Sequence, residues 1–258
     1  MIFFLFLFGL LFGSFANVCI WRVPRGESIV FPGSHCPGCG AEIRWYQNVP
    51  FLSFVLLRGR CARCRASISI QYPLVELLCG VLFMCQGFLF QGVALLAGLI
   101  LSFVLLVVSI IDLRHQIIPD VFSLGLLGAG LLLSPWNPLL GGGTVARVLQ
   151  SVVGALAGFG VMFALAWGGE KIFKKEALGG GDIKLMAAAG AFLAWNGLFV
   201  ALFVGSLAGT AAVVFLMALG RLKRGDYMPF GPFLALGSWI AWMGGERLSN
   251  LFLGLPFR

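Results

Sequence analysis

Charge is scarce in this sequence, and negative charge scarcer still. Only 11% of the 258 residues are charged, with 18 Lys and Arg against 10 Asp and Glu, where a soluble domain carries about 25%. A water-soluble fold of this length cannot hide the 60% of residues that are hydrophobic, so the bilayer must be the solvent for most of the chain. Histidine is nearly missing, at His35 and His115 alone. Neither G-x-S-x-G nor H-E-x-x-H occurs, which removes the serine-hydrolase and zinc-protease readings. The first 20 residues, MIFFLFLFGLLFGSFANVCI, lack the basic start and the small-residue cleavage site of a signal peptide and read as a retained helix. No periodic repeat or low-complexity linker stands out. The net charge of +8 would suggest nucleic acid in a soluble protein, but in a polytopic one a Lys and Arg excess records topology instead. Nucleic acid is therefore not an expected partner; the lipid bilayer is.

What is present is a series of apolar segments of spanning length. They fall at 1–20, 73–90, 92–111, 120–135, 148–168, 183–196, 198–219 and 228–245, which predicts an all-α polytopic membrane protein with about eight transmembrane helices. Two of these, 120–135 and 183–196, are short against the ~20 residues a span needs. The run from Ile183 to Leu219 is too long for one span, and Trp195-Asn196-Gly197 is the natural place to turn it. Segment 21–72 is the one stretch long enough to fold outside the membrane. Placing it in the cytoplasm puts fifteen basic residues inside: Arg22, Arg25, Arg44, Arg58, Arg60, Arg63 and Arg65 on the loop, then Arg114, Lys171, Lys174, Lys175, Lys184, Arg221, Lys223 and Arg224. Arg147, Arg247 and Arg258 are left outside. That asymmetry sets both termini outward and the long loop inward. The division expected is a first span at 1–20, a cytoplasmic loop domain at 21–72 and a membrane core at 73–258.

The loop carries Cys36, Cys39, Cys61 and Cys64 as C-x2-C-x21-C-x2-C, close to the spacing of ribbon-type zinc sites. Each C-x-x-C turn lets two thiolates face one ion, and four sulfurs close a tetrahedral shell, which makes the site structural. Two disulfides are the rival reading, disfavoured in a reducing cytoplasm. A loop of this size with few core hydrophobes needs such a staple, and a small zinc-ribbon-like domain is expected. His35, beside the first ligand, reads as a surface residue because four cysteines already suffice. Cys19, Cys79 and Cys85 lie in or beside spans without paired spacing, as small buried hydrophobes do.

Carboxylates in or at the ends of spans are costly enough to be functional candidates. Glu76, Asp112, Asp120 and Asp182 qualify. Asp182, after the glycines of EALGGGDIKLM (176–186), reads well alone as the N-cap of the next helix. Asp120, after Pro119, has a similar capping or loop reading. Glu76, at the start of the second span, suits either a substrate contact or a pair with a loop arginine. Asp112 resists such explanations: it follows LSFVLLVVSII at the C-terminal end of its helix, where the dipole disfavours an anion, although Arg114 and His115 stand near enough in sequence to compensate. The derived topology brings Asp112 and Asp182 to the same cytoplasmic interface from 70 residues apart. Two close carboxylates do not both ionise readily, and such a pair supplies a base to activate water and an acid to protonate a leaving amine. It titrates as a unit, with neither residue given a fixed role.

These stretches closely resemble the prepilin leader peptidases (type IV prepilin peptidases), of the GxGD class of membrane aspartic proteases. Gly179, Gly181 and Asp182 match the G-x-G-D motif, and DLRHQIIPD (112–120) matches the second aspartate motif, in which the first Asp, here Asp112, is catalytic. GSFANVCIWRVP (13–24), CPGC, IRWYQNVPFLSFVLLRGRCARC (43–64), QYPLVE (71–76) and PFGPFLALG (229–237) follow in the family's order, with no departure at key positions. The resemblance implies an aspartyl endopeptidase of the bacterial inner membrane that cuts the basic leader from prepilins and pseudopilins, after a glycine, on the cytoplasmic side. It also implies, for members with the four-cysteine loop, N-methylation of the new terminus with S-adenosylmethionine. No nucleotide-binding fingerprint here identifies residues for that donor. The basic loop is no magnet for a basic leader; its arginines read as topology determinants and contacts to anionic lipid heads. Two other functions compete: a transporter using the acids as a proton or cation relay, and a zinc-dependent secretion scaffold without chemistry. Oligomeric state and the particular pilins processed are not encoded in any motif.

Overall fold

The computed structural model describes residues 1–174, 178–223 and 228–253, without the side chains of 173 and 245–253. Lys175, Arg224 and Arg258 of the charge count lie outside the described residues, as does the side chain of Arg247. The chain forms two compact units, Met1–Phe90 and Gln91–Arg258. Among the described residues there are eight α-helices: α1 Ile2–Arg22, α2 Leu52–Leu56, α3 Gln71–Leu89, α4 Gly92–His115, α5 Asp120–Leu133, α6 Thr144–Phe173, α7 Gly180–Ala218 and α8 Gly231–Leu253. Among the described residues five are long and apolar enough to cross a membrane: α1, α3, α4, α6 and α7. Large side chains such as Phe3, Leu156 and Phe215 are more than 60% exposed, the pattern of helices whose outer surface is covered by lipid.

In the first unit α1 packs on α3 along Gly9 and Gly13. A Cβ at Gly9 would sit 2.7 Å from the Cys79 carbonyl oxygen, and one at Gly13 would sit 2.5 Å from the Glu76 Cα. Such a G-x-x-x-G seam lets backbones approach where lipid offers no hydrophobic drive. Asn17 joins the ends of the two helices, its Nδ2 donating to the Tyr72 carbonyl at 3.1 Å. Buried Arg22, counted above as a topology charge, donates to the carbonyls of Ser28 and Pro32 at 2.9 and 2.7 Å and turns the loop back under α1. Cys19 and Cys79 are buried and Cys85 half-buried, all three unbonded.

The second unit is built around the first half of α7. Leu185, Met186, Ala188, Ala189, Ala191 and Phe192 are at most 1% exposed. α5, α6 and α8 pack on α7, while α4 packs on α8 and α5. Gly154 and Gly158 of α6 meet α7 so closely that a Cβ at either would strike the Gly190 or Met186 carbonyl. α7 runs 39 residues, about 58 Å if straight and twice the hydrocarbon thickness. It breaks at Ala194, whose φ of 54° and ψ of −174° are not helical, one residue before the Trp195-Asn196-Gly197 turn expected from the sequence. The other expected bounds shift: α6 begins four residues earlier than 148 and runs past 168, and α8 begins at Gly231 after a non-helical 228–230.

Candidate active site and metal centre

Asp112 lies in the last turn of α4 and is 4% exposed. The cost of an anion at a helix C-terminus is met from elsewhere in the second unit. The Gly231 N–H, at the first residue of α8, donates to Asp112 Oδ2 at 2.9 Å. That amide is one of the donors a helix start leaves unpaired, at the positive end of the α8 dipole. Arg114 and His115 play no such part: both are exposed, and the ion pair formed among the described residues joins other groups. Gly231 is the residue sequence reasoning passed over, because its contribution is a backbone amide 119 positions from its partner. A Cβ there would stand 2.6 Å from Asp112 Oδ2 and 3.2 Å from Ile118 Cδ1.

Asp182 is 6% exposed and is not the N-cap that its sequence context suggests. Gly179 holds that position, and Asp182 is the third helical residue of α7. Its carboxylate reaches back to the Gly179 backbone amide, the return half of a capping box. Oδ1 is buried with no hydrogen-bond partner. Gly181 is keyed against the loop after α4: a Cβ on it would lie 2.7 Å from the Ile118 Cβ. Ile118 thus presses on both glycines that flank the acids. The two carboxylates stand close enough for the charge of Asp112 to act on Asp182.

The other two acids are already committed. Asp120 makes a two-pronged ion pair with Lys184 Nζ, at 2.7 and 2.8 Å, tying the start of α5 to the first turns of α7. Glu76 does not pair with a loop arginine. Its Oε2 accepts from the Phe51 N–H at 2.7 Å, and Ser14 supplies a second hydrogen bond.

The four cysteines of the first unit converge. All four Sγ atoms lie within 4.8 Å of one another, with Cys36 and Cys64 at 3.8 Å and no disulfide formed. Tetrahedral sulfurs about 2.3 Å from a zinc ion stand about 3.8 Å apart, so the donor set fits that metal. Each C-x-x-C is folded as a small knuckle. Cys36 N–H donates to Ala41 O at 2.9 Å and Cys61 N–H to Ala66 O at 2.8 Å, with isolated antiparallel bridges His35–Glu42 and Arg60–Ser67 outside them. Backbone amides of Cys64 and Arg63 aimed at the sulfur draw the Cys61 thiol down to about 6. Against the pull of the Ala66 amide, hydrogen bonds with the Cys39, Cys61 and Cys36 sulfurs push Cys64 up to about 11, so the clustered thiols share protons that a bound metal would displace. His35 stays out of the cluster, its Nδ1 3.2 Å from the Gly33 carbonyl.

Residues 7–90 match the model of the bacterial peptidase A24 N-terminal domain, and residues 99–223 that of the type IV leader peptidase family. The chain is 37% identical to a prepilin leader peptidase/N-methyltransferase of Aeromonas hydrophila, over 96% of this chain and 92% of that one. A protein of the same name from Pseudomonas aeruginosa is 34% identical over 96% and 91%. One from Klebsiella pneumoniae is 43% identical over 79% and 90%. No solved structure matches.

Proposed function

The chain belongs to the type IV leader peptidase family, and from that premise we propose that Asp112 and Asp182 form its aspartyl dyad. The activity is removal of the leader peptide from prepilins, with N-methylation of the residue thereby exposed. The observation that carries the dyad is the buried, unpartnered Oδ1 of Asp182 beside the Asp112 carboxylate. A buried polar atom without a partner is costly, and water or a scissile carbonyl at that point would satisfy it. One carboxylate takes a proton from that water as it attacks the carbonyl, and the other, protonated, gives its proton to the leaving amine. Gly231 fixes Asp112 Oδ2 from the α8 terminus, which leaves the rest of that carboxylate for the reaction. A transporter reading needs acids placed along a path; Glu76 and Asp120 are instead held by the Phe51 N–H and Lys184, whereas Asp182 keeps one carboxylate oxygen, Oδ1, without a partner.

In this reading α7 counts as two spans about Ala194, giving eight in all in the inner membrane. Residues 1–20 are the first span, 21–72 the metal-binding loop and 73–258 the peptidase core. Both termini face outward, and the loop and dyad face the cytoplasm, where a prepilin presents its leader. Cys36, Cys39, Cys61 and Cys64 hold a zinc ion; four thiolates leave it no open position, so it staples the loop and takes no part in hydrolysis. The methyl donor is S-adenosylmethionine. Among the described residues that line a cavity of about 400 Å3 between α7 and the start of α8, Ser206 and Thr210 carry the polar side chains.

Mass spectrometry of a purified prepilin incubated with this protein and S-adenosylmethionine tests the function. Loss of the leader and a methyl increment on the product are expected. An intact prepilin under conditions where the protein is folded and inserted would refute it.

A further inference from the structure

Between Glu42 and Glu76 the chain has no acidic residue for 33 positions, while Arg44, Arg58, Arg60, Arg63 and Arg65 are all exposed. Within that stretch the short helix α2 presents Leu52, Val55 and Leu56, spaced i, i+3 and i+4, at 53%, 53% and 72% exposure. Its other side is held inward by Ser53, whose Oγ donates to the Tyr46 carbonyl at 3.2 Å. That bond sets α2 beside the Trp45–Gln47 turn, whose Trp45 is 83% exposed. An apolar face with a tryptophan at its edge and arginines at both ends is the composition of a segment that lies in a membrane interface.

A second feature fixes the depth of this segment. Phe51, just before α2, has φ 59° and ψ −49°, and Leu52 N–H donates across it to Pro50 O at 2.6 Å. This is a γ-turn of the strained, positive-φ kind, rare for a side chain as large as phenylalanine. The Phe51 N–H it turns outward is the one received by Glu76 Oε2 at 2.7 Å. Glu76 is the sixth residue of α3, a helix of membrane-spanning length and hydropathy. The tether therefore holds the start of α2 level with the end of a span, where the bilayer surface lies.

We propose that residues 44–60 form an interfacial anchor that lays the α2 face and Trp45 into an anionic bilayer surface, with Arg44, Arg58 and Arg60 on the headgroups. The Glu76–Phe51 hydrogen bond is the strut that sets its height. Membrane contact in this way orients the cysteine knuckles, which flank the segment at Cys36–Ala41 and Cys61–Ala66, against the lipid. This inference needs α1 and α3 to be spans and does not depend on the peptidase reading.

The test uses the full-length protein in nanodiscs of phosphatidylglycerol with phosphatidylethanolamine, or of phosphatidylcholine alone, each doped with a diazirine phospholipid. Adducts are mapped by mass spectrometry. Leu74 and Leu78 of α3, exposed on a span, should label in both discs and report correct insertion. Residues 45–56 should label in the anionic discs and at least tenfold less in phosphatidylcholine. Arg44→Gln or Arg58→Gln should each lower that labelling about fivefold, the factor for a basic residue worth about 1 kcal/mol at such a surface. Three results would overturn the proposal: no adducts in 45–56 while α3 is labelled, equal labelling in both lipids, or labelling abolished by added prepilin, which would make the face a protein-docking surface. The lipid comparison is made on the unaltered protein, so it stands even if a variant misfolds.

Discussion

The four cysteines and the two aspartates both gather groups whose negative charges repel, yet they are assembled in opposite ways. Each cysteine knuckle is made locally, by a turn of six residues closed by its own backbone bonds. The aspartates meet only because three helix ends converge: the end of α4, the start of α7 and the start of α8, whose amide lies 119 residues from the acid it serves. The knuckles also tolerate variety. The left-handed residue in the first is Gly40, with open space where a Cβ would go, and in the second it is Arg65 at φ 63°. At the aspartates the glycines are obligatory, since Gly181 and Gly231 are pressed by Ile118 and by Asp112 itself. A cysteine cluster closed by local turns can be loosely built, whereas carboxylates brought together by distant helix ends depend on the packing around them.

Substitutions can break or sharpen that contrast. The largest effect is expected from removing the metal. Chelation, or Cys36→Ser, should release zinc and unfold the loop, since a structural ion contributes on the order of 10 kcal/mol to small zinc sites. Hydrogen exchange over 30–70 and elemental analysis would show it, while α7 and α8 keep their protection. Next come Gly181→Ala and Gly231→Ala, which displace the dyad without replacing either carboxyl. A misplacement of about 1 Å costs roughly 100-fold, so kcat for cleavage should fall by about that factor with KM and zinc content little changed. Lys184→Ala should cost less than about 1 kcal/mol in a thermal or denaturant assay, because its pair with Asp120 is exposed. On the same scale, Arg65→Gly should stabilise the second knuckle by about 1 kcal/mol by relieving a left-handed backbone, and Gly40→Ala should destabilise the first by a similar amount.

What the sequence disclosed follows the same division. The cysteine cluster was legible because its members come in close pairs and spacing alone implies convergence. Asp112 stood out because no helix-end argument accounts for it, and charge asymmetry put Asp182 on the same face. The partners were not legible. Gly231 and Phe51 act through backbone N–H groups, which every residue but proline carries, so no side-chain pattern marks them for Asp112 or Glu76. The run of glycines before Asp182 disguised where α7 begins and made an interior residue look like a cap. Lys184 and Asp120 gave no signal either, being 64 residues apart and brought together by α5 packing on α7. The long apolar run does break, at Ala194, one residue before the Trp195-Asn196-Gly197 turn that the sequence suggests.

If Asp112 and Asp182 perform the cleavage together, as proposed, each is indispensable to it. This is tested by single-turnover processing of a prepilin by Asp112→Asn and Asp182→Asn, with zinc content and hydrogen-exchange protection of α7 measured on the same preparations. Cleavage at least 1,000-fold slower is expected in both, of the order an acid or base catalyst supplies, with zinc and protection unchanged. Cleavage near the normal rate by either variant would contradict it.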